Sequence, residues 1–307
     1  MTERDSSAAS VPSPAFAAAR RWGGLAVSYI RVLKPKETLL LWFIGLCTAL
    51  AAAGGGLASS RFLLVALTVL LGSGGTNGLT NYLDRHVDAK MKRTRHRVLA
   101  CGAVSPAWKG LIWSGCLVVM ALGIAYYLHP YAFIAGAVGV VAAVVARKTW
   151  ATHFLGAISS VGPVLVAWFG MNAPASTEVW LLSAVVLLWV PVHVWNLMLA
   201  WKEDYVQAGV DMFPLTRGHK LTSALSLMFS VAMLAAVVAL AWIGETRLVF
   251  LGMAGPAALA MVAAGAVALW RPDRQGTLRV FKLSAYPFLG MTFLGLVLDT
   301  WLRAGMW

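Results

Sequence analysis

The sequence predicts an all-α, polytopic membrane protein with nine transmembrane helices and its N-terminus in the cytoplasm. Three observations carry this expectation. Of the 307 residues, 60% are hydrophobic and 12% charged, and the mean hydropathy is +0.75; soluble domains run about 45–50% apolar and 25% charged. That composition excludes a disordered chain, a secreted disulfide scaffold and a water-soluble enzyme. Next, nine mostly apolar runs alternate with charge clusters, each run close to the ~20 residues a helix needs to cross the hydrocarbon core. Finally, of the 25 Lys and Arg residues all but Arg61, Arg247 and Arg303 fall on one side of those runs.

The runs lie at about 38–58, 62–83, 109–128, 130–147, 153–172, 178–201, 222–243, 247–270 and 283–302. Gly54-Gly55-Gly56 closes the first, and His129-Pro130 makes a tight turn between the third and fourth. Residues 1–21 carry Glu3 and Asp5 followed by Ser, Ala and Pro. They read as a short disordered cytoplasmic tail and not as a cleaved signal peptide. Residues 22–307 form one transmembrane domain. The Lys/Arg-rich side faces the cytoplasm by the positive-inside rule, which puts the N-terminus inside and the C-terminus outside. The net charge of +13 therefore follows from topology: the partner it implies is a lipid bilayer, and nucleic acid is not needed. Cys47, Cys101 and Cys116 form neither a CxxC pair nor an even framework, so zinc and disulfides are not indicated.

Topology accounts for the bases and leaves the acids. Five of the 12 Asp and Glu residues lie in two segments on the basic side: Asp84 and Asp88, then Glu203, Asp204 and Asp211. The first segment continues the second run, so Asn81, Asp84 and Asp88 fall at i, i+3 and i+7 on one helical face. Two like charges one turn apart repel, and a divalent cation between them reverses that sign. Mg²⁺ suits the arrangement, because it takes one or two carboxylates plus phosphate oxygens and water. Lys92, Arg93, Arg95 and Arg97 follow at once, and arginine forks match phosphate in bidentate geometry. Metal-holding carboxylates beside phosphate-holding cations describe a diphosphate site at the membrane surface. On spacing alone a plain basic loop, with its Asp residues paired to neighbouring Arg, stays open.

The second segment runs from Trp189 to Tyr205. His193 and Asn196 are polar groups inside an apolar span, costly in lipid and therefore expected to face a cavity or the bundle interior. With Trp189, Ala200 and Glu203 they form one helical stripe ending level with the first acidic segment. A core histidine bonded to a backbone carbonyl is the other reading of His193, and Trp at helix ends commonly anchors at the interface.

These residues resemble the UbiA superfamily of intramembrane prenyltransferases. The resemblance rests on Asp84-Arg85-x-x-Asp88, on Lys92-Arg93-Thr94-x-x-Arg97 and on Gly102. Within that superfamily the chain is most similar to the protohaem IX farnesyltransferase (haem O synthase) branch, through His193-Val194-Trp195, Asp204-Tyr205 and Ala208-Gly209-Val210-Asp211-Met212-Phe213-Pro214. Lys34-Pro35, Arg147-Lys148-Thr149 and Leu298-Asp299 add to it, and the likeness runs from about residue 28 to 300. The chain departs at Thr80 (usually Asn), His86 (usually Asp), Val98 (usually Pro), Val194 (usually Phe) and Asp211 (usually Pro). None of these removes the Asp pair or the Arg cluster, but His86 and Asp211 change the charges or ligands available.

The resemblance implies nine helices of UbiA type and an active site on the cytoplasmic side of the cell membrane. It implies Mg²⁺ on Asp84 and Asp88, with Arg93, Arg97 and Lys148 on the diphosphate of farnesyl diphosphate. The acceptor it implies is a vinyl group of haem b, a substrate and not a prosthetic group, with haem O as product. His193 would ligate or orient the haem. Asn81, Lys92, Trp195, Asn196, Asp204 and Tyr205 complete the expected substrate-binding set. A contact with a haem A synthase or an oxidase assembly factor stays open. The alternatives are a UbiA-type enzyme with another acceptor (a quinone precursor, a chlorin or a lipid headgroup), and a transporter. The transporter would call for matching broken helices in two halves, and Gly72-Ser73-Gly74-Gly75 has no counterpart in the second half.

Overall fold

A computed structural model describes residues 24–56, 59–145, 152–243 and 248–305, and every element in them is helical. The helices are α1 (24–32), α2 (Pro35–Ala52), α3 (Ser60–Lys90), α4 (Trp108–Leu128), α5 (Pro130–Val144), α6 (Thr152–Gly170) and α7 (Thr177–Ala200). Two short ones follow, α8 (Lys202–Gln207) and α9 (Phe213–Thr216). The chain then forms α10 (His219–Ile243), α11 (Leu248–Trp270), α12 (Arg274–Leu283), a π-helical segment (Ser284–Gly290) and α13 (Met291–Arg303).

Eight helices are long and apolar enough to cross a membrane, counting Arg274–Arg303 as one. The fourth expected span is a shorter apolar helix, α5, of 15 residues, about 22 Å at 1.5 Å per residue against a hydrocarbon core of about 30 Å. The described residues thus contain eight helices long and apolar enough to span, and this shorter one, against the nine spans expected. The expected tail (residues 1–21) and Lys148 lie outside the described residues.

Helix starts follow local chemistry. Ser59 and Ser176 accept the amides of Phe62 and Val179 and so cap α3 and α7. The turn between α4 and α5 uses one residue twice: His129 ends α4 in extended backbone and accepts the Tyr131 amide, with Pro130 at the first position of α5. Each long helix packs on the next, α2 on α3 through α6 on α7, then α7 on α10, α10 on α11, α11 on α13 and α13 back on α2. The ring closes. Glycine sets close approaches within it: a Cβ on Gly78 would collide with Ser114 Oγ, and one on Gly75 would stand 2.8 Å from the Ser114 carbonyl, so α3 and α4 touch backbone to backbone. Leu39, Val119, Tyr127, Val141 and Trp242 point outward and exposed, as lipid-facing side chains do.

Two bases on the sparsely charged side have structural work. Arg61 in the first turn of α3 donates to the carbonyls of Gly170 and Leu128, the last residues of α6 and α4, and to Asn172 Oδ1. Its charge sits where two helix dipoles end in unmet carbonyls. Arg303 pairs with Asp299 at 3.3 Å. Asp299 also accepts the first amides of α11, from Val249 and Phe250, so the Leu298-Asp299 motif caps a neighbouring helix.

The last span bends. Ala285 leaves helical geometry (φ −79°, ψ −106°), and Pro287 lies in the same π-helical segment. Proline removes a backbone donor, and at the bend the Ser284 carbonyl accepts the indole N–H of Trp189 at 2.7 Å. Such π-helical distortions concentrate at functional sites, and this one meets α7 beside His193.

Candidate active site

Inside the ring lies a cavity of about 400 Å³ walled by α2 through α7. Thr76, Asn77 and Thr80 of α3 line it, as do Lys34, Glu37 and Arg97 at its basic end. Asp84 stands one turn beyond Thr80 on the same helical face and Asp88 one turn further. Both are buried, at 2% and 1% exposure. Arg97, on the cavity wall, reaches Asp88 Oδ2 at 2.7 Å, so Asp88 meets the cavity through Arg97 and neither carboxylate lies in its wall.

The basic loop after α3 is held by the second acidic segment. Asp204 accepts the amides of Lys92 at 2.6 Å and Arg93 at 3.0 Å, one on each oxygen. Tyr205 takes a hydrogen bond from the Arg93 guanidinium at 3.0 Å and lines the cavity. Asp204 therefore positions the loop, where the sequence suggested substrate contact. The Lys92 side chain is exposed. Gly102 and Gly209, both in the motifs quoted above, have φ of 76° and 75°, a backbone shape that L side chains rarely adopt.

Asn81 shares a helix with the Asp pair, yet its Nδ2 donates to the Val32 carbonyl at 2.9 Å. It ties α1 to α3 and does not line the cavity. Asn196 likewise bonds Val192 O and Ser226 Oγ, joining α7 to α10. Trp195 packs on His153, Phe213 and Phe229, outside the cavity wall. The expected stripe holds from Trp189 to Ala200; there α7 ends, the chain turns at Trp201, and Arg274 Nε caps the Ala200 carbonyl at 3.0 Å. Glu203 falls on α8 and is exposed, as are Asp211 and His86. Those two departures leave the cavity wall unchanged.

His193 does line the cavity. It is clamped between Trp189 and Phe281, with ring centroids 4.7 and 4.4 Å away. Its Nδ1 lies 2.8 Å from Ser284 Oγ, whose own proton goes to the Phe281 carbonyl. Ser284 must then accept from His193, which fixes Nδ1–H and leaves Nε2 as the lone-pair nitrogen.

Sequence reasoning did not assign roles to Lys34, Asn77 or His153, all on the cavity wall. Lys34 holds a left-handed backbone (φ 50°, ψ 68°) before Pro35 and reaches Thr80 Oγ1 at 3.1 Å. A non-glycine residue in that region is uncommon, and such strain gathers at functional sites.

No group of three or more His, Cys, Asp or Glu residues that could hold a metal occurs among the described residues. A cation here would be held by Asp84 and Asp88, two hard oxygen donors one turn apart, with the rest of its shell left to substrate and water. That open donor set fits Mg²⁺, which keeps waters and phosphate oxygens in its shell.

A family model described as the UbiA prenyltransferase family matches residues 40–289. The chain belongs to that family. A protoheme IX farnesyltransferase of Desulforudis audaxviator is 33% identical over 291 residues, covering 91% of this chain and 90% of that protein. Among solved structures, a digeranylgeranylglyceryl phosphate synthase superposes with a TM-score of 0.74 at 15% identity, over 90% of this chain and 98% of the other. A UbiA homologue from Archaeoglobus fulgidus bound to GPP and Mg²⁺ gives 0.62 at 14% identity, over 88% and 99%. This UbiA protein is a multi-pass membrane prenyltransferase.

The Asp204 clasp fixes the path of the basic loop after α3, the segment proposed below to meet the diphosphate. Asp204→Asn keeps one acceptor oxygen and loses the charge. The expected result is a rise of about tenfold in KM for the prenyl diphosphate, the equivalent of about 1.4 kcal/mol, with kcat little changed. Steady-state kinetics at saturating acceptor checks it.

Proposed function

We propose that this UbiA enzyme transfers a farnesyl group from farnesyl diphosphate to a vinyl group of haem b, giving haem O, at the cytoplasmic face of the cell membrane. One arrangement supports the reading: Arg97, paired with Asp88 one turn beyond Asp84, lines the same cavity as His193. A charged diphosphate and an apolar acceptor can thus meet at one boundary. The protohaem IX farnesyltransferase names of relatives support the acceptor, and the asymmetry of Lys and Arg supports the orientation.

Mg²⁺ held by Asp84 and Asp88 would neutralise charge on the diphosphate and make it a better leaving group. Arg97 and Lys34 place fixed positive charge where the leaving oxygen gains negative charge as the allylic carbon–oxygen bond ionises. Arg93, braced by Tyr205 and Asp204, and Lys148 complete the expected cationic set. The apolar walls of α4, α5 and α6 take the isoprenoid tail and keep water from the allylic cation. His193, its ring clamped and its tautomer fixed by Ser284, presents Nε2 to the haem. Addition to the vinyl terminus moves positive charge to the carbon next to the porphyrin, where water attacks and loses its proton. An acceptor contact with haem A synthase or an assembly factor would fall at this same face.

Diphosphate release from farnesyl diphosphate and Mg²⁺, followed with and without haem b, tests the acceptor. Release that rises with haem b is expected. Release indifferent to haem b but stimulated by a quinone precursor would reject haem and keep the prenyltransferase.

A further inference from the structure

Four described histidines are not exposed: His129, His153, His193 and His219. Three have hydrogen-bond partners, in the Tyr131 amide, Ser284 Oγ and Ser223 Oγ. His153 differs. It is 3% exposed, on the cavity wall in the first turn of α6, and neither ring nitrogen has a hydrogen-bond partner among the described residues. The pair it forms with Trp195 (centroids 6.0 Å apart, planes at 82°) is a packing contact with no hydrogen bond, and the Trp195 indole N–H is likewise buried without a partner.

An imidazole carries polar atoms on both sides of its ring, and native proteins seldom leave such groups buried and unmet. The His153 nitrogens are therefore matched by something that enters the cavity. The candidate ligands separate by charge. Among the described residues the groups suited to a diphosphate, Lys34 and Arg97, sit just before α2 and on the loop after α3; Lys148, of the same expected set, lies outside the described residues. The wall made by α6 and α7 presents imidazoles and aromatic faces, which suit a flat metalloporphyrin whose iron takes axial nitrogen.

We propose that His153 is an axial ligand to the iron of the bound haem acceptor. This rests on the reading of haem b as substrate. Coordination from α6 fixes the height and rotation of the macrocycle, and with them the reach of its vinyl group to the allylic carbon. His193, on the neighbouring helix, offers a second nitrogen.

Full-length protein in detergent is titrated with haem b in the absence of any prenyl donor, and the Soret band is followed for the wild type, His153→Ala, His153→Gln and His193→Ala. The Gln variant keeps bulk in the wall, and monodisperse elution of each variant establishes folding. In both His153 variants the expected outcome is a shifted Soret maximum and about tenfold or more weaker haem binding, with added imidazole restoring the wild-type band in His153→Ala. A Soret band and affinity unchanged in both variants overturn the ligand assignment. Unchanged haem spectra with a raised KM for farnesyl diphosphate would place His153 at the diphosphate instead. A wild-type protein that binds no haem would sink the haem reading itself, an outcome separable from the others.

Discussion

Asp84→Asn is expected to lower kcat by about 100- to 1,000-fold, the loss typical when a group that stabilises transition-state charge is removed, while the protein remains folded. The substitution is nearly isosteric and lies at 2% exposure on α3, so packing is kept and only the charge is lost. A neutral amide holds a divalent cation poorly beside Asp88, and the diphosphate then leaves without its main counter-charge. The companion Asp88→Asn is expected to lose as much. It also removes the ion pair to Arg97, at 2.7 Å, and so raises KM as well as lowering kcat. Diphosphate release at raised Mg²⁺ separates the two: excess metal offsets part of a defect in holding the ion and so restores part of the Asp84→Asn activity, whereas it does not replace the Arg97 ion pair lost in Asp88→Asn. Loss below tenfold in both variants would show that the carboxylates do not carry the metal.

Arg61→Ala is expected to destabilise the protein by about 2–4 kcal/mol without changing turnover per folded molecule. One guanidinium satisfies the carbonyls that end α4 and α6 and the side chain of Asn172. Its removal leaves helix-end carbonyls unmet next to lipid, where each costs more than in water. Arg61→Lys is expected to recover only part of the loss, since an ammonium lacks the planar fork that spans two helix ends. Thermal unfolding in detergent measures it. A midpoint within one degree of wild type for Arg61→Ala would contradict the clasp.

The sequence made the spans legible because lipid leaves little freedom: apolar runs and charged punctuation mark helices almost by themselves. It made Asp84, Asp88, Arg97 and His193 legible because polar groups in or beside a span need a reason. Helical spacing, though, fixes which residues share a face and not which neighbour that face meets. Asn81 was therefore grouped with the Asp pair although it bonds Val32 in α1, and Asn196 with His193 although it bonds Ser226 in α10. The break at Trp201 carries neither Gly nor Pro, so nothing local announced that Glu203 would leave the stripe. The π-helical segment had a signal in Pro287, but the run from 283 to 302 was apolar enough to read as one helix. His153 escaped notice because its meaning is relational: it matters only once α6 closes the cavity and leaves its ring unbonded.

The most direct measurement is the mass of the haem recovered after detergent-purified protein is incubated with haem b, farnesyl diphosphate and Mg²⁺. A haem heavier by one farnesyl group and one water, formed by the wild type and absent with Asp84→Asn, is the result expected here. Recovery of unmodified haem b, with diphosphate released all the same, would contradict the assignment of haem as the acceptor in this cavity.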